Sequence, residues 1–192
     1  MENQRYDIDL IEKAVSKVMN ERRFIHTLGV KDMCFSLALV HECDEEKAIV
    51  AGLLHDCAKC LSDDVLLREC EKYNITISEY ERKAPFLLHA KLGAYYAKVN
   101  YHVNDTDIWN AITYHTTGRP NMSTLEKIVY VADYIEPGRK SSHIPNLKEI
   151  RKLAFVDLDK TVSAILSNTI NYLNSKSNVI DTTTMDAYNY YK

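Results

Sequence analysis

The chain has 192 residues, the length of one domain and enough to bury a proper core. A net charge of −3 argues against broad nucleic-acid binding, and no apolar run approaches the ~20 residues that a membrane span requires. Five cysteines, an odd number, follow an N-terminus (MENQRYDIDL) with neither a basic start nor an apolar stretch, which points to a reducing, cytoplasmic setting.

Only 5 Gly and 4 Pro punctuate the chain, and apolar residues recur with a period near 3.6 almost throughout. The expected fold is therefore all-α, a single-domain helical bundle over residues 1–192. The spacing predicts helices at about 7–20, 24–41, 45–58, 62–73, 78–84, 90–99, 105–115, 124–136, 146–154, 158–173 and 183–190. The nearest candidate for a strand, Ile75–Ser78, is short and reads as a loop entering the next helix. In chain order, the second helix carries His26 just after the basic stretch ERRF. The third, AIVAGLLHDCAK, can turn Ile49, Leu53 and Leu54 to a core while His55 and Asp56 emerge at its tip. His89 opens HAKLGAYYAKV, in which Tyr95 and Tyr96 read as core and boundary packing. NDTDIWNAITYH closes on His115, with Asn104 as the expected N-cap and Asp105 and Asp107 in the first turn. In STLEKIVYVADYIEP, Ser123 and Glu126 form a capping-box pattern and Pro137 stops the helix. Tyr188, Tyr190 and Tyr191 give the tail helix an aromatic surface for packing on the body or on a second subunit, as in a homodimer.

An imidazole beside a carboxylate, as in His55-Asp56, is a compact metal-binding unit whose spare oxygen can bridge to a second ion. Its company is His26, His89, His115 and Asp133, each inside or at the edge of a predicted helix. Asp133 lies among Ile128, Val129, Val131, Ala132 and Ile135, where an ionised carboxylate is costly unless paired, hydrogen-bonded or bound to a cation. Polar groups of this kind on five helices read as a site. By contrast, His41, His102 and His143 read as ordinary polar positions, and Arg22 and Arg23 as a solvated or salt-bridged turn with a phosphate role left open. Cys57 and Cys60 form a C-x-x-C without a second pair, which argues against a zinc ribbon.

The words RRFIHTLGV, AGLLHDCAK, LLHAKLGAYYA and AITYHTTGRPNMSTLEKIVYVADYIEPGR resemble the YqeK family of HD-domain hydrolases, from about residue 8 to about residue 190. That resemblance implies an HD-type helical bundle with its metal site between helices. It also implies symmetric cleavage of diadenosine tetraphosphate, a dinucleoside polyphosphate, to products of the ADP/GDP type. It implies one ion, iron, on His26, His55, Asp56 and Asp133, and a second ion, if present, near His89 and His115 with Asp56 as the bridge. The nitrogen and oxygen ligands by themselves also admit manganese, cobalt, nickel or zinc. Asp56, His89, His115 and Asp133 are the expected catalytic residues. The expected substrate contacts are His26, Asp56, Lys59, His89, His115, Thr116, Asp133 and Arg139, with the strip Lys176, Ser177, Asn178, Val179, Ile180 and Asp181 against the base. Lys59 is expected one helical turn past His55. The loop Thr116–Pro120 is expected to offer hydroxyls and backbone amides to an anion, and Arg139 to swing a guanidinium onto phosphate. In the base strip the chain departs from the family, which usually has a glycine near Ser177 and His-Pro near Asp181-Thr182. Two other readings use the same residues. One is an HD hydrolase of nucleoside monophosphates, guanosine polyphosphates or cyclic dinucleotides; the other is a non-catalytic regulatory module.

Overall fold

The computed structural model describes residues 6–176 and 179–192, and among them there are only helices, turns and loops. Eleven α-helices follow in order: α1 Ile8–Ser16, α2 Glu21–Val40, α3 Glu45–Leu54, α4 Asp63–Lys72, α5 Glu79–Lys83, α6 Leu88–Asn100, α7 Thr106–Tyr114, α8 Thr124–Ile135, α9 Leu147–Ala154, α10 Leu158–Ser175 and α11 Thr182–Tyr191. Most starts are set by short polar caps that accept the first orphan backbone N–H groups: Asn20, Asp44, Ser78, Asp105, Ser123, Asp157 and Asp181. The Ser123–Glu126 capping box forms as expected. The cap of α7 is Asp105 rather than Asn104, because the Asp105 carboxylate accepts from both Asp107 N and Ile108 N. Residues 75–78 are a loop, and Ser78 ends it by capping α5.

α2 packs along α3, and α6, α7 and α8 complete the layer around them, with α10 against the outer side of α8. Val30, Cys34 and Leu37 of α2 meet Val50, Leu53 and Leu54 of α3, Ile108 and Ile112 of α7, and Ile128, Val129 and Ile135 of α8 in one fully buried core. Gly52 permits the close approach, since a Cβ there would lie 3.0 Å from Lys31 Cα on α2. A smaller cluster, Ala58, Leu66, Cys70, Leu88 and Leu92, seats α4 on α6. The tail packs on the body: Tyr188 and Tyr191 lie against the core, and the Tyr191 hydroxyl accepts from Met122 N at 2.8 Å. Tyr95 stacks on Tyr73 at 4.4 Å, and Tyr96 is half-buried between the two clusters. No helix among the described residues is long and apolar enough to cross a membrane.

Two boundaries differ from expectation where the site lies. α3 stops at Leu54 rather than near 58, and residues 55–60 turn through i→i+3 bonds such as Cys57 N to Leu54 O and Lys59 N to Asp56 O. A 3-10 turn at Pro85–Leu87 leads into α6, which starts at Leu88 and so places His89 in its first turn.

Candidate active site

Four histidines and two aspartates converge where these helix ends meet. His55 and His115 are the C-cap residues of α3 and α7, and His89 lies in the first turn of α6. All three use the same local device. Nδ1–H donates to the carbonyl three residues earlier, namely Gly52 for His55, Phe86 for His89 and Ile112 for His115. That bond puts the proton on Nδ1 and leaves an Nε2 lone pair aimed at the common centre. His26, in the second turn of α2, is held from another direction: its Nδ1 lies 3.1 Å from Glu136 Oε1.

Asp56 stands between the two pairs of imidazoles. Its Oδ2 lies 3.4 Å from His55 Nε2 and 3.9 Å from His26 Nε2, and its Oδ1 lies 3.2 Å from His89 Nε2 and 3.6 Å from His115 Nε2. The atoms of His26, His55 and Asp56 lie within 4.8 Å of one another, and so do those of Asp56, His89 and His115. Two triads thus share one carboxylate, each oxygen facing one of them. Asp133 Oδ1, from α8, joins at 3.0 Å from His26 Nε2. His26 Nε2, His55 Nε2 and Asp56 Oδ1 are buried without a hydrogen-bond partner among the described residues. Buried polar atoms are rarely left so, and lone pairs facing one another without a proton between them fit a divalent cation. The donor set fits a metal.

The electrostatics keep the ligands in their metal-binding forms. Burial raises the Asp56 carboxyl, but the imidazoles of His55, His115 and His89 outweigh it and hold the group well below the usual carboxylate range. Burial likewise opposes ionisation of Asp133, and the imidazoles of His26 and His55 with the charge of Arg139 bring it down. Burial pushes the His89 imidazolium down to about 4, so this ring is neutral at pH 7.

Around the cluster, Lys59 Nζ comes within 3.5 Å of the His89 ring nitrogens. It does so from a turn rather than from the helix expected to carry it, and burial lowers its pKa. Thr116 Oγ1 lies 3.1 Å from His115 Nε2 and 3.5 Å from His89 Nε2. In the rest of the Thr116–Pro120 loop, the Thr117 hydroxyl donates to Gly118 O and the Arg119 guanidinium forks onto Glu126 at 2.7 and 3.0 Å. Arg139 donates from Nη2 to Asp133 Oδ1 at 2.6 Å. In the base strip, Lys176 is exposed, Val179 O accepts from the Tyr80 hydroxyl, and Ile180 is half-buried. The Asp181 carboxylate caps α11, whereas Ser177 and Asn178 lie outside the described residues. His41 donates to Ala154 O at 2.7 Å and His143 meets Ser142, both outside the triads. Cys57 is buried against Gly93 O while Cys60 is exposed beside Asn20, and all five thiols are free.

Two residues take parts that the sequence reading did not assign. Arg23 donates from Nη1 to Asp56 Oδ2 at 2.6 Å, so its salt bridge is to the shared carboxylate itself. Glu136, buried behind His26, has its other oxygen bonded by Gly138 N and is hemmed in by Gly29, where a Cβ would lie 2.8 Å from Oε2. Its place in the word ADYIEPGR, one residue before the proline that ends α8, was the only signal. Carboxylates behind metal-ligating imidazoles typically contribute about 10- to 100-fold to metal affinity. Glu136→Gln should therefore weaken metal binding roughly tenfold with the melting temperature of the metal-free protein little changed, as read by metal titration. Parental affinity in this variant would remove Glu136 from the site.

A family model described as HD domain matches residues 23–138, which hold every member of the two triads and Asp133. A protein from Halalkalibacterium halodurans named "Bis(5'-nucleosyl)-tetraphosphatase, symmetrical" is 38% identical over 171 residues, 89% of each chain. One of the same name from Bacillus subtilis is 37% identical over 176 residues, 92% of each chain. The crystal structure of a predicted HD superfamily hydrolase involved in NAD metabolism from Clostridium acetobutylicum matches with a TM-score of 0.92 at 39% identity and covers 98% of each chain. With the family model spanning both triads and relatives alike over most of their length, the chain belongs to the HD-domain family, alongside the relatives named symmetrical bis(5'-nucleosyl)-tetraphosphatase.

Proposed function

We propose that this protein is a metal-dependent hydrolase that splits diadenosine tetraphosphate and related dinucleoside polyphosphates symmetrically, with residues 1–192 acting as one HD-type unit. The observation that carries the reading is the pair of triads sharing Asp56, together with the names of the relatives. His26, His55, Asp56 and Asp133 would hold one divalent ion, and His89 and His115 a second with Asp56 or, without it, a phosphate oxygen. The resemblance favours iron, and the ligand chemistry also admits manganese, cobalt, nickel or zinc. Bound there, metal would lower the pKa of water toward about 7 and neutralise phosphate charge.

The protein's own groups bind and orient. Arg139, Arg23 and Lys59 bring three cations to the cluster, enough to draw a polyphosphate onto the acidic pair Asp56 and Asp133. Thr116 offers a hydroxyl on the side of His115. Where no second ion is bound, the neutral His89 ring, with Nε2 free, can accept a proton released as water adds. A P–O bond to the water oxygen forms as the bridging P–O bond beside the central oxygen breaks, which leaves two nucleoside diphosphates. Chromatography of the products tests the register: ADP should be the sole nucleotide product of diadenosine tetraphosphate. ATP with AMP as main products would mean that the polyphosphate sits one phosphate away from this alignment.

A further inference from the structure

Of the recesses beside the cluster, two that share no lining residue approach it from different sides. One, about 90 Å³, is bounded by Leu87, Thr116, Thr117 and Asp181. The other, about 940 Å³, opens beside Asp133 and Arg139 and extends along α10 to Tyr172. Thr116 touches His115 and His89, whereas Asp133 touches His26, so the two recesses meet the shared Asp56 carboxylate through opposite triads.

We propose that the larger recess is a nucleoside subsite, which receives one arm of a dinucleoside polyphosphate with the base against Tyr172. This inference rests on the function proposed above and adds to it a wall on α10 that the sequence reading did not include. Its size falls in the range of small-ligand sites, roughly 300–1,000 Å³. Its chemistry has two parts. Arg22, Arg139 and Lys140 supply positive charge, and neither Arg22 nor Lys140 has an ion-pair partner among the described residues. Tyr134, Ile144 and Pro145 supply apolar wall, and Tyr172 remains 61% exposed, a ring with most of its surface open for stacking. Asn168 donates to the Tyr134 hydroxyl and to Pro145 O, which ties α10 to both, while Asn171 keeps an exposed amide for a base edge. Cations that lead from the carboxylates to an open aromatic ring match a phosphate chain ending in a base. A substrate with two identical nucleosides sends its arms away from the cleaved bond in opposite directions. The larger recess has the room for one of these arms.

The test is steady-state kinetics on diadenosine tetraphosphate with metal content measured alongside. Tyr172→Ala should raise KM roughly tenfold, the scale of base–aromatic stacking, with kcat within about twofold and metal unchanged. Tyr172→Phe, which keeps the ring, should restore the parental KM. Tyr190→Ala serves as control, since Tyr190 is also exposed (55%) but lies outside the recess. An active parent with a parental KM in Tyr172→Ala overturns the subsite alone, as does a variant that loses kcat and metal together. A metal-loaded parent inert on this substrate overturns the proposed function and the subsite with it.

Discussion

Asp56→Ala should reduce turnover to background and leave the purified protein with little or no metal, the largest single-residue effect expected in this molecule. Asp56 is the one residue common to both triads, and each of its oxygens faces a different pair of imidazoles. Its removal takes a ligand from each position at once, whereas alanine at His89 or His115 removes one Nε2 and can leave metal on the His26 side. Asp133→Ala and His55→Ala should follow Asp56→Ala in losing metal. His41 and His102 provide the contrast. His41→Ala loses a bond to Ala154 O, and His102→Ala places alanine at a backbone φ of 55°, so both should lower melting slightly. Turnover in both should stay within a few-fold of the parent. Metal analysis and a single activity assay decide the matter. Full metal occupancy in folded Asp56→Ala would mean that the ion, if any, sits elsewhere.

Stripping the metal with a chelator should abolish activity and lower thermal stability together. An ion held only by the folded state stabilises by mass action, about 4 kcal/mol when it is present at a thousand times its dissociation constant. Here the structural reason is concrete: His26 Nε2, His55 Nε2 and Asp56 Oδ1 are buried and have no hydrogen-bond partner among the described residues. Without a cation these atoms face one another's lone pairs, and Arg23 and Arg139 are left to balance the carboxylates. The stripped protein should also lose stability as pH falls from about 6.5 to about 4. In that window the unfolded chain protonates His89, while the buried imidazole, with its pKa depressed to about 4, does not. Protons bound only by the unfolded state favour unfolding. Calorimetry before and after chelation, with re-addition of metal, reads both effects; unchanged melting with retained activity would defeat the metal reading.

Helices and their caps were legible in the chain because periodicity and capping are decided among residues a few positions apart. The 3.6 period located all eleven α-helices, and Ser123 with Glu126 announced the capping box that starts α8. The six residues of the cluster were legible too, chiefly through the words around them, since a histidine on a helix looks the same in sequence whether it is a ligand or, like His41, a bond to a neighbouring carbonyl. What tertiary structure alone decided was orientation and pairing. The end of α3 at Leu54 turns His55 and Asp56 so that each Asp56 oxygen faces its own pair of imidazoles. Arg23 reaches Asp56 across 33 positions, and Glu136 reaches His26 across 110. Arg119 forks onto Glu126 from seven positions away. No local rule specifies such contacts, because they depend on how closely α2, α3 and α8 pack, and that distance is set by the core and by glycines such as Gly52 and Gly29. The sequence determined which groups could bind a metal; the packing of the helix ends determined that they share one carboxylate.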